Sequence, residues 1–363
     1  MRRTRYALYD FLQVAGGAER LSLTLAEGLP DMQLIVSRIY PEASSLGKNA
    51  TLARPLADRR SIVLGRIFEA IWVFENRTQF LQHADAVIYS GYYAPFAVKN
   101  QHGGRRLYYC HTPPRFAYDL QAAYLEGLPL MARPIFSALV DRYRMRYEQS
   151  LKAMDCLVAN SLNVRRRLKQ YLGLEAEVVY PPIDTDAFKW LGQGDYFMST
   201  ARLTPHKRVD LIVKAFLRMP DENLVVVSGG PELGRLRKLA SDAQNIRFTG
   251  WQSEARLKDW IGHARAAIYI PIDEDFGMSP VEAMAAGKPV IGVAEGGLVE
   301  TVVDSETGLM IGSPPTVEAI VEAVKALGSG RAGAMRSACE ERAKAFDRSV
   351  FIEKMAGYVS RSD

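Results

Sequence analysis

Cysteine is scarce in this chain. Cys110, Cys156 and Cys339 are its only three in 363 residues, too widely spaced and odd in number for a disulfide framework or a zinc cluster. Long apolar runs are missing too, and none approaches the roughly 20 residues that span a bilayer. The basic start Met1-Arg2-Arg3-Thr4-Arg5 is not followed by a leader's apolar stretch, because Asp10 and Gln13 interrupt it. There is no short-period repeat, no low-complexity tract, no full dinucleotide fingerprint, and no recognition helix or zinc finger. These absences weigh against a secreted scaffold, an integral membrane protein and a sequence-reading nucleic-acid binder. The compartment expected is the cytosol.

What is present is the balance of a globular protein, 48% hydrophobic and 24% charged, with length for two ordinary domains. The net charge of +5 is unevenly spread. Residues 1–180 hold 24 Lys/Arg against 16 Asp/Glu, and residues 181–363 hold 22 against 25. A basic half can face nucleic acid, an anionic membrane or a phosphorylated substrate, or can simply be a solvated surface. Two of its segments mix Arg with apolar residues. One runs from Arg59 through Arg66, Ile67, Phe68, Ile71, Trp72 and Phe74 to Arg77. The other spans Leu130 to Lys152, with Arg133, Arg142, Arg144 and Arg146 among Ile135, Phe136, Leu139, Val140, Tyr143 and Tyr147. Such helices can lie on an anionic membrane, or their apolar faces can be ordinary core.

Short β-branched and aromatic runs alternate with helical stretches, the βαβ rhythm of a parallel sheet. The first series comprises residues 5–11, 34–36, 86–89, 107–109, 156–159 and 178–180. Breaks follow at Pro181-Pro182 and around Gly192-Gln193-Gly194-Asp195, which reads as a linker. A second series comprises 196–199, 224–227, 246–248, 267–270 and 289–292. The expected fold class is α/β, two doubly wound Rossmann-like halves with ligands in the cleft between them. The expected domains are 1–182 and 183–346, with a closing helix at about 347–363 packing back on the first.

The most informative stretch is Asp273-Glu274-Asp275-Phe276-Gly277-Met278-Ser279-Pro280-Val281-Glu282-Ala283. Glu274 and Glu282 are eight positions apart across a turn that becomes a helix, with Ser279 expected as N-cap and Pro280 as first helical residue. Two carboxylates flanking unpaired amides suit a ligand both polyhydroxylated and phosphorylated. Three other loops follow strands. Arg202 and Lys207 are two cations suited to a leaving diphosphate, although alone they would be ordinary surface charges. Gly16-Gly17 lets a backbone approach a phosphate. His111 precedes two rigidifying prolines and is equally readable as a structural histidine. Asp273-Glu274-Asp275 also has the D-x-D form that can hold a metal at a diphosphate.

Together these residues resemble the fourth family of retaining glycosyltransferases, which has the GT-B fold. The resemblance runs through Gly16-Gly17, Arg202 and Lys207, Ser228-Gly229-Gly230, Phe248-Thr249-Gly250, Glu274 to Glu282 and Gly287-Lys288-Pro289-Val290. The run Tyr109-Cys110-His111-Thr112-Pro113-Pro114-Arg115-Phe116 is similar to the O-antigen and exopolysaccharide mannosyltransferases. The resemblance implies that Glu274, with Asp275, Ser279 and the amides of Phe276, Gly277 and Met278, meets the donor sugar. Glu282 would hold the ribose, and Gly229, Gly250, Trp251 and Leu257 would line the nucleotide. Arg202 and Lys207 would stabilise the diphosphate, Gly16 and Gly17 would approach it, and His111 would lie beside the donor sugar. No metal or other cofactor is implied.

The resemblance implies an acceptor-binding domain over 1–182 and a nucleotide-sugar-binding domain over 183–346, and transfer of mannose from GDP-mannose to a lipid-linked saccharide acceptor at the inner face of the cytoplasmic membrane, in bacterial surface-polysaccharide assembly. UDP-glucose, UDP-N-acetylglucosamine and GDP-fucose remain alternative donors. A sugar-nucleotide epimerase, a non-catalytic sugar-nucleotide binder and a nucleic-acid-binding protein are more distant readings.

Overall fold

The computed structural model describes residues 4–14, 16–57 and 65–360, without the side chains of 44–48. Ala15 of the glycine turn and residues 59–64 of the first basic segment lie outside them. The chain divides into two compact units, Met1–Pro181 with Phe351–Asp363, and Pro182–Val350.

The first unit is built on a seven-stranded sheet: β1 (Arg5–Tyr9), β2 (Met32–Val36), β3 (Ala53–Pro55), β4 (Ala86–Ser90), β5 (Arg105–Cys110), β6 (Cys156–Ala159) and β7 (Glu177–Val178). Their order is β3-β2-β1-β4-β5-β6-β7, with every pairing parallel. Parallel strands must be joined by crossovers that cover both faces, so central strands read as unbroken apolar runs. Ala86-Val87-Ile88-Tyr89-Ser90 is buried at every position. Alternate residues feed two cores: Val87, Tyr89 and Tyr108 on one face, Ala86, Ile88, Leu107 and Tyr109 on the other.

The second core is completed from the far end of the chain. Phe351, Met355 and Val359 of the helix Arg348–Ser360 are buried in it, with the Phe351 ring edge-on to Tyr109 at 5.9 Å. Gly28 leaves room for this helix, because a Cβ there would lie 2.4 Å from Ile352 Cδ1.

The second unit repeats the logic with β8 (Tyr196–Ser199), β9 (Asn223–Val226), β10 (Ile246–Phe248), β11 (Ala266–Tyr269), β12 (Val290–Val293) and β13 (Gly308–Ile311). The order is β10-β9-β8-β11-β12-β13, again all parallel. The α/β, doubly wound expectation is met in both units. The stretch expected as a linker near Gly192 is not a free tether. The Leu191 N–H donates to Gly262 (3.0 Å), the Gly194 N–H to His263 (2.7 Å), and the buried Lys288 ammonium to the Gly192 carbonyl. Lys288 Nζ also lies 3.4 Å from the Trp190 ring centroid, a cation–π contact that fixes the segment to its own unit.

Candidate active site

In a parallel sheet the loops leaving the strands' carboxyl ends gather on one side, which collects the polar residues of each unit there. In the second unit, Arg202 and Lys207 follow β8, Gly229 follows β9, Gly250 and Trp251 follow β10, and Glu274 follows β11. Lys207 and Glu274 meet. Lys207 Nζ donates to Glu274 Oε2 at 2.5 Å and to the Tyr269 hydroxyl at 2.9 Å. Burial works to lower the Lys207 pKa, but Tyr269 and the Glu274 carboxylate outweigh it and hold the ammonium above its ordinary value. The Tyr269 hydroxyl and the Glu274 carboxylate thus present oxygen to one cation.

The helix Met278–Ala285 begins two residues earlier than Ser279 capping would place it. Its N-cap is Gly277, at φ +88°, so Ser279 and Pro280 lie within the first turn. The reason is steric: glycine enters the left-handed region freely and closes the turn sooner, while proline is tolerated in a first turn that needs no donor there. The amide-rich helix start therefore falls at Gly277, Met278 and Ser279, next along the chain from Glu274 and Asp275. Phe276 turns its side chain inward, 3% exposed, edge-on to Phe346 at 5.4 Å. Glu282 is buried in the helix at 5% exposure. Trp251 packs over Gly229, where a Cβ would come within 2.4 Å of the indole Nε1. Leu257 lies half-buried on the helix Glu254–His263. Arg202 is exposed and, among the described residues, makes no ion pair. Among those residues no three His, Cys, Asp or Glu side chains converge as a metal site requires.

Sequence reasoning missed the residues that hold the Glu274 loop. The Gly297 N–H donates to the Glu274 carbonyl at 2.7 Å. A Cβ at Gly296 would lie 2.5 Å from that same carbonyl oxygen, and one at Gly297 would lie 2.5 Å from the Asp275 carbonyl. The Gly296-Gly297 pair was the local signal available. Tyr269, Arg208 and Glu295 had no local signal.

His111, Gly16 and Gly17 belong to the first unit. His111 follows β5, and its Nε2 bonds the Ser90 hydroxyl at 2.8 Å. Burial lowers its pKa to about 4, so the ring is neutral at pH 7. Gly16 caps the helix Gly17–Gly28, and a Cβ on it would meet Glu19 Oε2 at 2.5 Å.

The family model "Glycosyltransferase Family 4" matches residues 15–187, and "Glycosyl transferases group 1" matches residues 184–346. The chain belongs to glycosyltransferase family 4. It is 29% identical over 252 residues to a D-inositol 3-phosphate glycosyltransferase of Streptomyces bingchenggensis, covering 58% of this chain and 55% of that protein. It is 32% identical over 204 residues to the GDP-mannose-dependent alpha-(1-6)-phosphatidylinositol monomannoside mannosyltransferase of Mycobacterium tuberculosis, covering 48% of this chain and 52% of that one. The chain thus spans about half the length of the curated relatives it matches. Among solved structures, Anabaena HepE in complex with UDP and glucose matches 99% of this chain and 100% of its own, with TM-score 0.75 at 15% identity. That likeness shows the fold, which is GT-B.

In this family-4 chain the glycine turn of the first unit is backed by two buried carboxyls. Asp10 accepts the N–H groups of Tyr92 (2.6 Å), Tyr93 (2.7 Å) and Ala94 (2.9 Å). Burial nonetheless raises it to about 6. Glu19 is pushed up to about 7, chiefly by burial, with Asp10 adding repulsion and the N–H groups of Glu19 and Val14 pulling the other way. A raised folded-state pKa means that the fold holds the proton more tightly than the unfolded chain does. The cost of the ionised carboxylate is fully present above about pH 7 and is relieved as the pH falls toward the unfolded value. Glu19→Gln removes that ionisation. Its melting temperature relative to wild type is therefore expected to be higher at pH 8 than at pH 5, by differential scanning calorimetry. A difference independent of pH would refute the assignment.

Proposed function

We propose that the chain is a retaining glycosyltransferase that moves mannose from GDP-mannose to a lipid-linked saccharide acceptor in bacterial surface-polysaccharide assembly. The observation that carries this reading is the Lys207–Glu274 pair beside the start of the helix Met278–Ala285. A cation, a carboxylate and helix-start amides together suit a sugar joined to a diphosphate. In this scheme the bond between the sugar's anomeric carbon and the diphosphate breaks, the acceptor hydroxyl attacks on the same face, and the departing phosphate oxygen takes its proton. Arg202 and Lys207 stabilise the charge that develops on the leaving group without a metal, and no side chain serves as nucleophile. Glu282 holds the ribose, and Gly229, Gly250, Trp251 and Leu257 line the nucleotide.

Mannose and GDP are favoured by the mycobacterial relative, whose name specifies GDP-mannose. A uridine donor is the second reading, because HepE was solved with UDP and glucose. A thermal-shift panel of GDP, UDP, ADP and their sugar conjugates separates them. A ligand at a hundred times its Kd adds about 2.7 kcal/mol of stability. A shift with GDP and GDP-mannose alone is expected, a selective UDP response would replace the donor, and silence throughout would sink the nucleotide-sugar reading. Lys207→Ala and Arg202→Ala are each expected to lower turnover by about 10²–10³. Near-wild-type turnover in both would remove their electrostatic role.

Acceptor access fits a peripheral membrane site, with the cytoplasmic face as its setting. Among the described residues no helix is long and apolar enough to cross a membrane. The helices Gly65–Asn76 and Arg133–Lys152 split their apolar residues between core and solvent. Val73, Phe74, Val140 and Tyr147 are buried, whereas Phe68, Trp72, Ile135 and Leu139 are exposed, as are Leu130 and Met131 in the short turn before the second helix, Met131 by 90%. Exposed apolar side chains interleaved with Arg66, Arg77 and Arg142 suit an anionic lipid surface. Sedimentation with anionic vesicles is expected at low salt and should weaken as salt rises. Failure to bind at low salt would exclude this contact.

A further inference from the structure

Two residues beside the Glu274 loop have backbones that side-chain-bearing residues avoid, Arg208 at φ +50° and Asp273 at φ +41°. One carboxylate joins them. Glu295, in the loop after β12, accepts from the Asp273 N–H at 2.7 Å and from Arg208 Nη1 at 3.1 Å, both on Oε1. Its Oε2 accepts from the Ser313 hydroxyl, and Arg208 Nη1 also reaches the Pro271 carbonyl at 3.4 Å. The Arg208 and Glu295 side chains are mostly buried, at 16% and 17% exposure. The backbones meet directly as well, through the Ile272 N–H and the His206 carbonyl at 2.8 Å.

Left-handed backbone outside glycine persists only where its surroundings over-determine it, and it concentrates at functional sites. Here the turn at Lys207-Arg208 sends adjacent cations to carboxylates of two different loops, Lys207 to Glu274 after β11 and Arg208 to Glu295 after β12. A glycine at 208 would make the same turn with no strain, but would leave Glu295 without its guanidinium. We propose that Arg208 and Glu295 are positioning residues for the donor sugar. Their ion pair fixes the segment from Pro271 to Gly277 in the register at which Glu274 meets the sugar hydroxyls, while neither touches the ligand.

The inference rests on the donor-sugar reading above, and its test separates the two. Titration calorimetry on the full chain gives the affinity for GDP, for GDP-mannose and for the corresponding UDP pair, in wild type, Arg208→Gly and Glu295→Ala. In Arg208→Gly the relief of left-handed strain offsets part of the cost of leaving Glu295 unpaired, so the variant should stay folded at the assay temperature, checked by its melting curve. Nucleotide affinity should stay within about twofold, while the extra affinity contributed by the sugar falls about tenfold. Glu295→Ala should lose the same sugar increment, and the double variant no more than either single, as members of one unit do. A wild-type increment in Arg208→Gly overturns the proposal. So does a variant in which nucleotide affinity falls as much as sugar-dependent affinity, which would make the pair a general structural brace. A wild-type chain that binds neither nucleotide would refute the donor reading and this inference with it.

Discussion

The second unit's site depends on a close approach of two stretches of backbone. Gly296 and Gly297 lie so near the Glu274 and Asp275 carbonyls that neither position has room for a Cβ. That contact, closed by the Gly297 N–H on the Glu274 carbonyl, fixes where the loop after β11 can run. From there the rest follows in sequence. Glu274 is presented to Lys207, Phe276 is turned into the core against Phe346, and Gly277 is left to start the helix. The contacts of Glu274 with Gly297 and with Lys207 join loops that follow different strands, so the parallel sheet is what makes them neighbours.

Mostly buried charges are paired in both units: Lys207 with Glu274, Arg208 with Glu295 and Arg265 with Glu222 in the second, and Arg38 with Glu69 in the first. Removing one member of such a pair leaves the other desolvated and uncompensated, so these loops tolerate little change. Asp10 and His111 of the first unit are held instead by backbone amides and by burial. Asp10 is gripped by three N–H groups and His111 is kept neutral. A neutral imidazole bonded to the Ser90 hydroxyl can donate or accept a hydrogen bond without bringing charge to whatever lies beside it.

Fold class was readable from sequence because both sheets are parallel and doubly covered, which writes strands as plain apolar runs such as Ala86-Val87-Ile88-Tyr89. Elements too short or too mixed to leave that trace were missed. β3 has only three residues and includes Pro55, and β13 opens on a glycine. The Lys207 and Glu274 loops could be seen because strand-end cations and spaced carboxylates are local patterns. Tyr269, Arg208 and Glu295 could not, since their roles arise only when loops distant in sequence converge. Ser279 misled for a related reason. A serine before a proline is a good cap in isolation, but Gly277 had the backbone freedom to start the helix first.

The helix Arg348–Ser360 has a consequence for how the chain comes to exist. Phe351, Met355 and Val359 belong to a core whose other members lie before residue 180. During synthesis that core stays open on one side while the whole second unit is made, with Tyr109 lacking its aromatic neighbour. The second unit draws its sheet from one continuous stretch and can close first. The unit that begins the chain is thus the last to be finished, and for most of translation its unfilled apolar face is a natural client for a chaperone.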